Sequence, residues 1–156
     1  MKTAQIAFQD LYDEAFTHCY GCGRNHATGH QLKSYWHADL PETIAHIRPE
    51  PHYTGGVPDH LYGGLIASLL DCHGTATAAA FKARSSGMLF DGTSTLSRCV
   101  TANLNIQFIQ PVPVHVELTL KGSLICIEDR KVKVALCLAA QDKVLATAEM
   151  LAIQLK

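Results

Sequence analysis

The chain has 156 residues, of which 47% are hydrophobic and 17% charged, with a formal net charge of −1. This balance excludes a disordered chain and offers no electrostatic case for nucleic acid or an anionic membrane surface as partner. The length fits one domain, residues 1–156, able to bury a real core, and no apolar run is long enough to cross a membrane.

Residues 4–16 carry Phe8, Leu11, Tyr12, Ala15 and Phe16 at helical spacing, which predicts a short amphipathic helix. Cys19-x-x-Cys22 follows, flanked by His18 and His26. Two thiols at this spacing can open a zinc site, but four ligands are needed and no second pair exists. A thioredoxin-like redox reading requires a following helix. Gly21, Gly23 and Gly29 argue instead for a structural loop, so no metal and no cofactor are expected. A metal site built on His18, Cys19, Cys22 and His26, or a redox pair, stands as the alternative. Six cysteines without a visible export signal read as reduced thiols of a cytoplasmic protein.

Gln31–Ala38 and Glu42–Arg48 read as two strands joined at Asp39-Leu40-Pro41. Pro49, Pro51, Gly55, Gly56 and Pro58 mark a loop that carries His52, Tyr53, Asp59 and His60 toward Gly63-Gly64. From Leu65 onward one long helix is predicted, with Leu65, Leu69, Cys72 or His73, Ala76 and Ala80 at helical spacing and small residues nearly all round. Residues 85–98 break every period and read as a loop, in which Met88, Leu89 and Phe90 either cover a ligand or anchor the loop. Four strands are then expected. Leu104, Ile106 and Phe108 alternate with polar neighbours, as do Val114 to Leu120 and Val132 to Leu138, and the last strand runs from about Val144 to Leu155. This order implies α+β, with one curved, mainly antiparallel sheet wrapped around one long central helix.

Tyr62-Gly63-Gly64, with Asp71 nine residues after Tyr62, resembles the motif of hotdog-fold acyl-CoA thioesterases of the PaaI-like type, where His-Gly-Gly precedes a helix bearing Asp or Glu. Cys19-Tyr20-Gly21-Cys22-Gly23 and Asn103-Leu104-Asn105-Ile106-Gln107-Phe108-Ile109-Gln110-Pro111 extend the resemblance to residues 19–155. The resemblance implies the hotdog fold, hydrolysis of an acyl-CoA thioester to an acid and free CoA, and a homodimer, open to pairing into a homotetramer. It also implies a water-holding role for Thr101. Relatives carry His where Tyr62 stands, and several carry Asn or Gln where Gly56 aligns. A non-catalytic acyl-CoA-binding protein on the same fold is therefore the alternative.

Thioester hydrolysis needs a polarised carbonyl and an activated nucleophile. Backbone N–H groups at a helix start meet the first need, and an ionised carboxylate meets the second. Gly64 and Asp71 are the candidates. Seven residues of helix separate them by about 10 Å, too far for one carbonyl to touch both, so a site using both draws them from two subunits. The candidate catalytic residues are thus Asp71, Gly64 and Thr101. Tyr62, Gly63, His60, Gly56 and Asn105 are the candidate substrate-binding residues.

Overall fold

The structure, a computed structural model that describes residues 5–156, is built around helix α1, Gly63–Ser85. Before it come two 3₁₀ turns, Phe8–Leu11 and Glu14–Phe16, and strands β1 (Ser34–Trp36) and β2 (Thr43–Ile47). After it come β3 (Cys99–Phe108), β4 (Leu118–Glu128), β5 (Lys131–Ala140) and β6 (Lys143–Gln154). All six strands form one antiparallel sheet in the order β1-β2-β4-β5-β6-β3. The helix packs against β1, β3, β4, β5 and β6, which is the expected α+β arrangement.

Small residues let the helix lie close to the sheet. A Cβ on Gly74 would come within 2.7 Å of the Met150 methyl and 2.8 Å of Leu136, contacts no real side chain makes. Leu65, Leu69 and Leu70 are fully buried, as are Leu120, Val134 and Leu138 on the facing strands. Alternation along β5 is clean, with Val132, Val134, Leu136 and Leu138 buried between half-exposed neighbours. In the 86–98 segment Phe90 is an anchor: its ring lies 5.5 Å from those of Phe8 and Trp36, while Leu89 projects outward.

Two expectations need correction. Of the segment 4–16, residue 4 lies outside the described residues, and residues 5–16 form no amphipathic α-helix but only the two 3₁₀ turns. The Leu11 carbonyl is taken by Leu96 N–H at 2.8 Å, and the carbonyls of Gln9, Asp10 and Tyr12 accept from the Arg24 guanidinium at 3.4, 3.2 and 3.2 Å, so neighbouring segments hold the backbone groups a helix would use. The strand read from Val114 begins at Leu118 and runs on to Glu128. Val112 and Val114 are buried, but their backbones bond Leu61 and Asp59, and His115 sits at φ 66°. This segment follows the loop before α1 and joins the ladder only after that turn.

The core holds one polar lattice. His73 is wholly buried, with Ser34 Oγ 2.9 Å from Nδ1 and Thr43 Oγ1 3.2 Å from Nε2. Gln9 Nε2 donates to Ser34 Oγ at 3.1 Å, and Thr43 Oγ1 also meets Thr77 Oγ1 at 2.6 Å and the Gly122 carbonyl at 3.3 Å. This lattice ties α1 to β1, β2, β4 and the N-terminal segment.

Burial pushes the His73 imidazole from 6.5 down to about 3. Below pH 6.5 the unfolded chain takes up a proton that the folded chain refuses. Stability contributed by neutral His73 is therefore complete above that pH and is lost as pH falls toward 3. The loss is about 1.4 kcal/mol per pH unit, or about 2 kcal/mol between pH 6.5 and 5. Urea unfolding across this range should show His73→Gln with a slope shallower by one proton than the wild type. Equal slopes would refute the assignment.

Candidate active site

Asp71 lies on the half-buried side of α1, two turns from its start, and Thr101 lies near the beginning of β3. The Thr101 hydroxyl donates to Asp71 Oδ1 at 2.5 Å. That leaves Oδ2 without a hydrogen-bond partner among the described residues. A register shift between Thr101 and Asn103 makes this pairing possible. Across this bulge the inward positions change parity, so Thr101 faces α1 together with Leu104 and Ile106, which pack on the core. The Thr101 proton is committed to Asp71. Toward a water molecule this hydroxyl can therefore only accept, and its first task is to fix the carboxylate.

The other candidates gather two turns back from Asp71, at the start of α1. Tyr62 is the N-cap residue, without a capping side-chain bond, and Leu65 and Ile66 N–H both donate to its carbonyl, at 3.1 and 3.5 Å. Among the described residues the Gly63 and Gly64 N–H groups have no hydrogen-bond partner, the orphan donors of a helix start. A cleft of about 400 Å³ opens there. It is lined by Gly56, His60, Tyr62 and Gly63, and by Phe108 and Gln110 from the end of β3. The His60 Nδ1–H donates to the Pro58 carbonyl at 2.8 Å, so neutral His60 carries its lone pair on Nε2.

The Tyr62 ring lies directly over Gly64, where an added Cβ would overlap it. No side chain could stand at position 64 without displacing that ring. Gly56, by contrast, has open space around it. Asn105 joins neither group: it is exposed on the far side of β3, where its Oδ1 accepts from Gln107 Nε2 at 3.5 Å. The cleft wall from Phe108 to Val112 was not singled out as a site by sequence reasoning, although Phe108 to Pro111 belong to the stretch that carries the resemblance.

The structure also assembles a thiol cluster. Cys19, Cys22 and Cys72 have their sulfur atoms all within 4.8 Å of one another. Hydrogen bonds from Cys22, then from Cys72, hold the Cys19 thiol far below its ordinary range, with help from the backbone of Cys22 and Gly21. Cys72 and Cys22 are correspondingly pushed up, first by their bonds to Cys19. Spacing had offered His18 and His26 as companions of the pair; the fold supplies Cys72, which nothing in the local spacing marks.

Comparison with known proteins bears on the whole arrangement. The thioesterase superfamily family model matches residues 59–148, from the loop before α1 into β6. A thioesterase superfamily protein from Shewanella loihica PV-4 is 39% identical, with 91% of this chain and 97% of that one covered and a TM-score of 0.67. The Escherichia coli PaaI protein of the phenylacetic acid degradation operon shares the fold at 13% identity, with 74% of each chain covered and a TM-score of 0.61. A Streptococcus mutans UA159 protein bound to acetyl CoA does so at 15% identity, covering 74% of this chain and 82% of that one, with a TM-score of 0.58. No curated protein matches. With a central helix laid against a six-stranded antiparallel sheet, the Gly63-Gly64 helix start and a match to the family model over more than half its length, the chain has the hotdog fold and belongs to the thioesterase superfamily.

Proposed function

We propose that the protein hydrolyses acyl-CoA thioesters at a site shared between two subunits of a homodimer. The observation that carries this reading is the Asp71 carboxylate, fixed through Oδ1 by Thr101 with Oδ2 left open, beside an unpaired edge strand. β3 is ten residues long, and its sequence holds no charged residue and no proline. Exposed Val100 and Phe108 stand at its ends, whereas the opposite edge, β1, has only three residues. A long edge without charge or proline invites pairing with another strand.

A second copy related by a two-fold axis would pair with β3 antiparallel. Thr101 and Phe108 lie about 23 Å apart along an extended strand. Pairing centred between Leu104 and Asn105 sets the Thr101 end of one strand against the Phe108 end of the other. The Asp71–Thr101 pair of one copy then meets the cleft and the orphan N–H groups of the second. In the reaction Asp71 Oδ2 takes a proton from water as the water oxygen attacks the thioester carbonyl. The Gly64 N–H donates to the carbonyl oxygen as it gains charge. The C–S bond then breaks and the thiolate leaves, recovering the proton from Asp71. An acetyl-CoA-bound neighbour of the same fold supports a CoA thioester as ligand.

A second reading, acyl-CoA binding without turnover, is favoured by Tyr62 standing where relatives carry His, its ring packed over Gly64. A panel of acyl-CoA thioesters with a free-thiol readout separates the two. Hydrolysis should appear in the wild type and fall by about 10²- to 10⁴-fold in Asp71→Asn, with the circular dichroism unchanged. Wild-type turnover in Asp71→Asn would sink the mechanism, and absence of turnover across the panel would promote the binding reading. Tyr62→His, which removes the larger ring from Gly64, should leave activity equal or higher; total loss would give Tyr62 a role of its own.

Sharing of the site has a separate test. Gly64→Val and Asp71→Asn should each be inactive as homodimers. Unfolded together and refolded, they should regain activity, because one site of each mixed dimer receives an intact Gly64 and an intact Asp71. Mixed dimers confirmed by differential tags yet inactive would show that the two residues do not meet across the interface, given that each variant is folded.

A further inference from the structure

We propose that Cys19, Cys22 and Cys72 are the three thiolate ligands of a zinc ion that fastens the N-terminal loop to α1 beside Asp71. A Zn–S bond of about 2.3 Å in tetrahedral geometry sets neighbouring sulfurs about 3.8 Å apart. Cys19 Sγ and Cys72 Sγ are 3.8 Å apart, and because no pair in the cluster exceeds 4.8 Å, none must close by more than about 1 Å.

The loop is shaped to bring its thiols here. Gly23 N–H donates to the Cys19 carbonyl at 2.7 Å, and a Cβ on Gly23 would overlap the Thr17 carbonyl and the Cys19 backbone. A Cβ on Gly21 would overlap Cys72 Sγ. Glycine at both positions lets the Cys-x-x-Cys turn close tightly and press onto the helix. Cys22 and Cys72 are buried and Cys19 is half-buried, so the fourth position of a tetrahedral ion faces the Cys19 side and is left for water or an exogenous ligand.

Charge selects the ion. Three thiolates around a divalent cation leave one net negative charge. The half-buried Arg98, whose guanidinium lies 5.0 Å from the Tyr12 ring and interacts electrostatically with Cys22 and Cys19, supplies one positive charge. A monovalent ion such as copper(I) would leave the buried cluster with an uncompensated charge. Capture of zinc expels the protons the thiols still carry and stabilises the folded chain, because the three ligands converge only when residues 19–22 meet residue 72.

Zinc titration of reduced, chelator-treated full-length protein should give one ion per chain and a higher Tm. Cobalt substitution should give the thiolate charge-transfer band of a tetrahedral site. X-ray absorption at the zinc edge should count three sulfurs at about 2.3 Å. Cys72→Ala should lose stoichiometric zinc, whereas Cys126→Ala, Cys137→Ala and the His18→Ala/His26→Ala double variant should keep it. Arg98→Met should weaken zinc about 10- to 100-fold. Failure of the reduced wild type to take zinc, a count of two sulfurs, or zinc retained in Cys72→Ala would each overturn the proposal. The sulfur count decides the matter even if Cys72→Ala does not fold.

Discussion

Burial of α1 on every side is the constraint from which the rest follows. Cys72 to Ala80 is an unbroken buried stretch, with sheet on one side and the N-terminal segment on the other. A helix so enclosed can carry only small or apolar side chains, or polar ones whose partners are supplied from outside it. Ala76, Ala78, Ala79 and Ala80 meet the first condition. His73 and Thr77 meet the second, through the hydroxyls of Ser34 and Thr43, while Thr75 turns its hydroxyl back to the helix's own carbonyls. Asp71 is the one ionisable carboxylate on the helix. It sits where the buried stretch begins, near enough to solvent to stay useful and near enough to β3 to be held.

Confinement of the helix also separates the groups that the proposed hydrolysis would use. The orphan N–H groups stand at its start beside Phe108, and the carboxylate stands two turns on beside Thr101. β3 runs past both points, so its two ends flank the two halves of the proposed site. An interaction that pairs this strand with its own copy would therefore rejoin what the single chain keeps apart. The bulge after Thr101 is part of this geometry: without the parity change, a strand whose Leu104 and Ile106 face the helix would turn Thr101 away from it.

Much of this was legible in the residues. The long helix, the loop before it, the β3 and β5 alternations and the Asp71 position follow from period and punctuation, which are local properties of the chain. Thr101 was legible only through the resemblance, since its approach to Asp71 depends on the bulge. Other features depend on long-range partners. Residues 8–16 have a helical pattern, but their backbone carbonyls are claimed by Arg24 and Leu96. Val114 and Val116 alternate as a strand would, yet Val114 bonds the backbone of the loop before α1 and the chain turns at His115 before entering the sheet. The third thiol of the cysteine cluster lies 53 residues from Cys19, a separation at which no sequence spacing can signal contact.

Three consecutive residues of α1 show how densely the helix is used. Successive side chains on an α-helix turn by about 100°. Asp71, Cys72 and His73 therefore address three different neighbours: Thr101 on β3, Cys19 in the N-terminal loop, and Ser34 with Thr43 on β1 and β2. A small rotation of the helix would disturb all three contacts together. The buried imidazole between two hydroxyls tolerates such a rotation least, because both of its nitrogens are committed to fixed strands. Its lattice sets the helical phase at which Asp71 meets Thr101 and Cys72 meets Cys19. The polar core thereby positions the carboxylate it never touches.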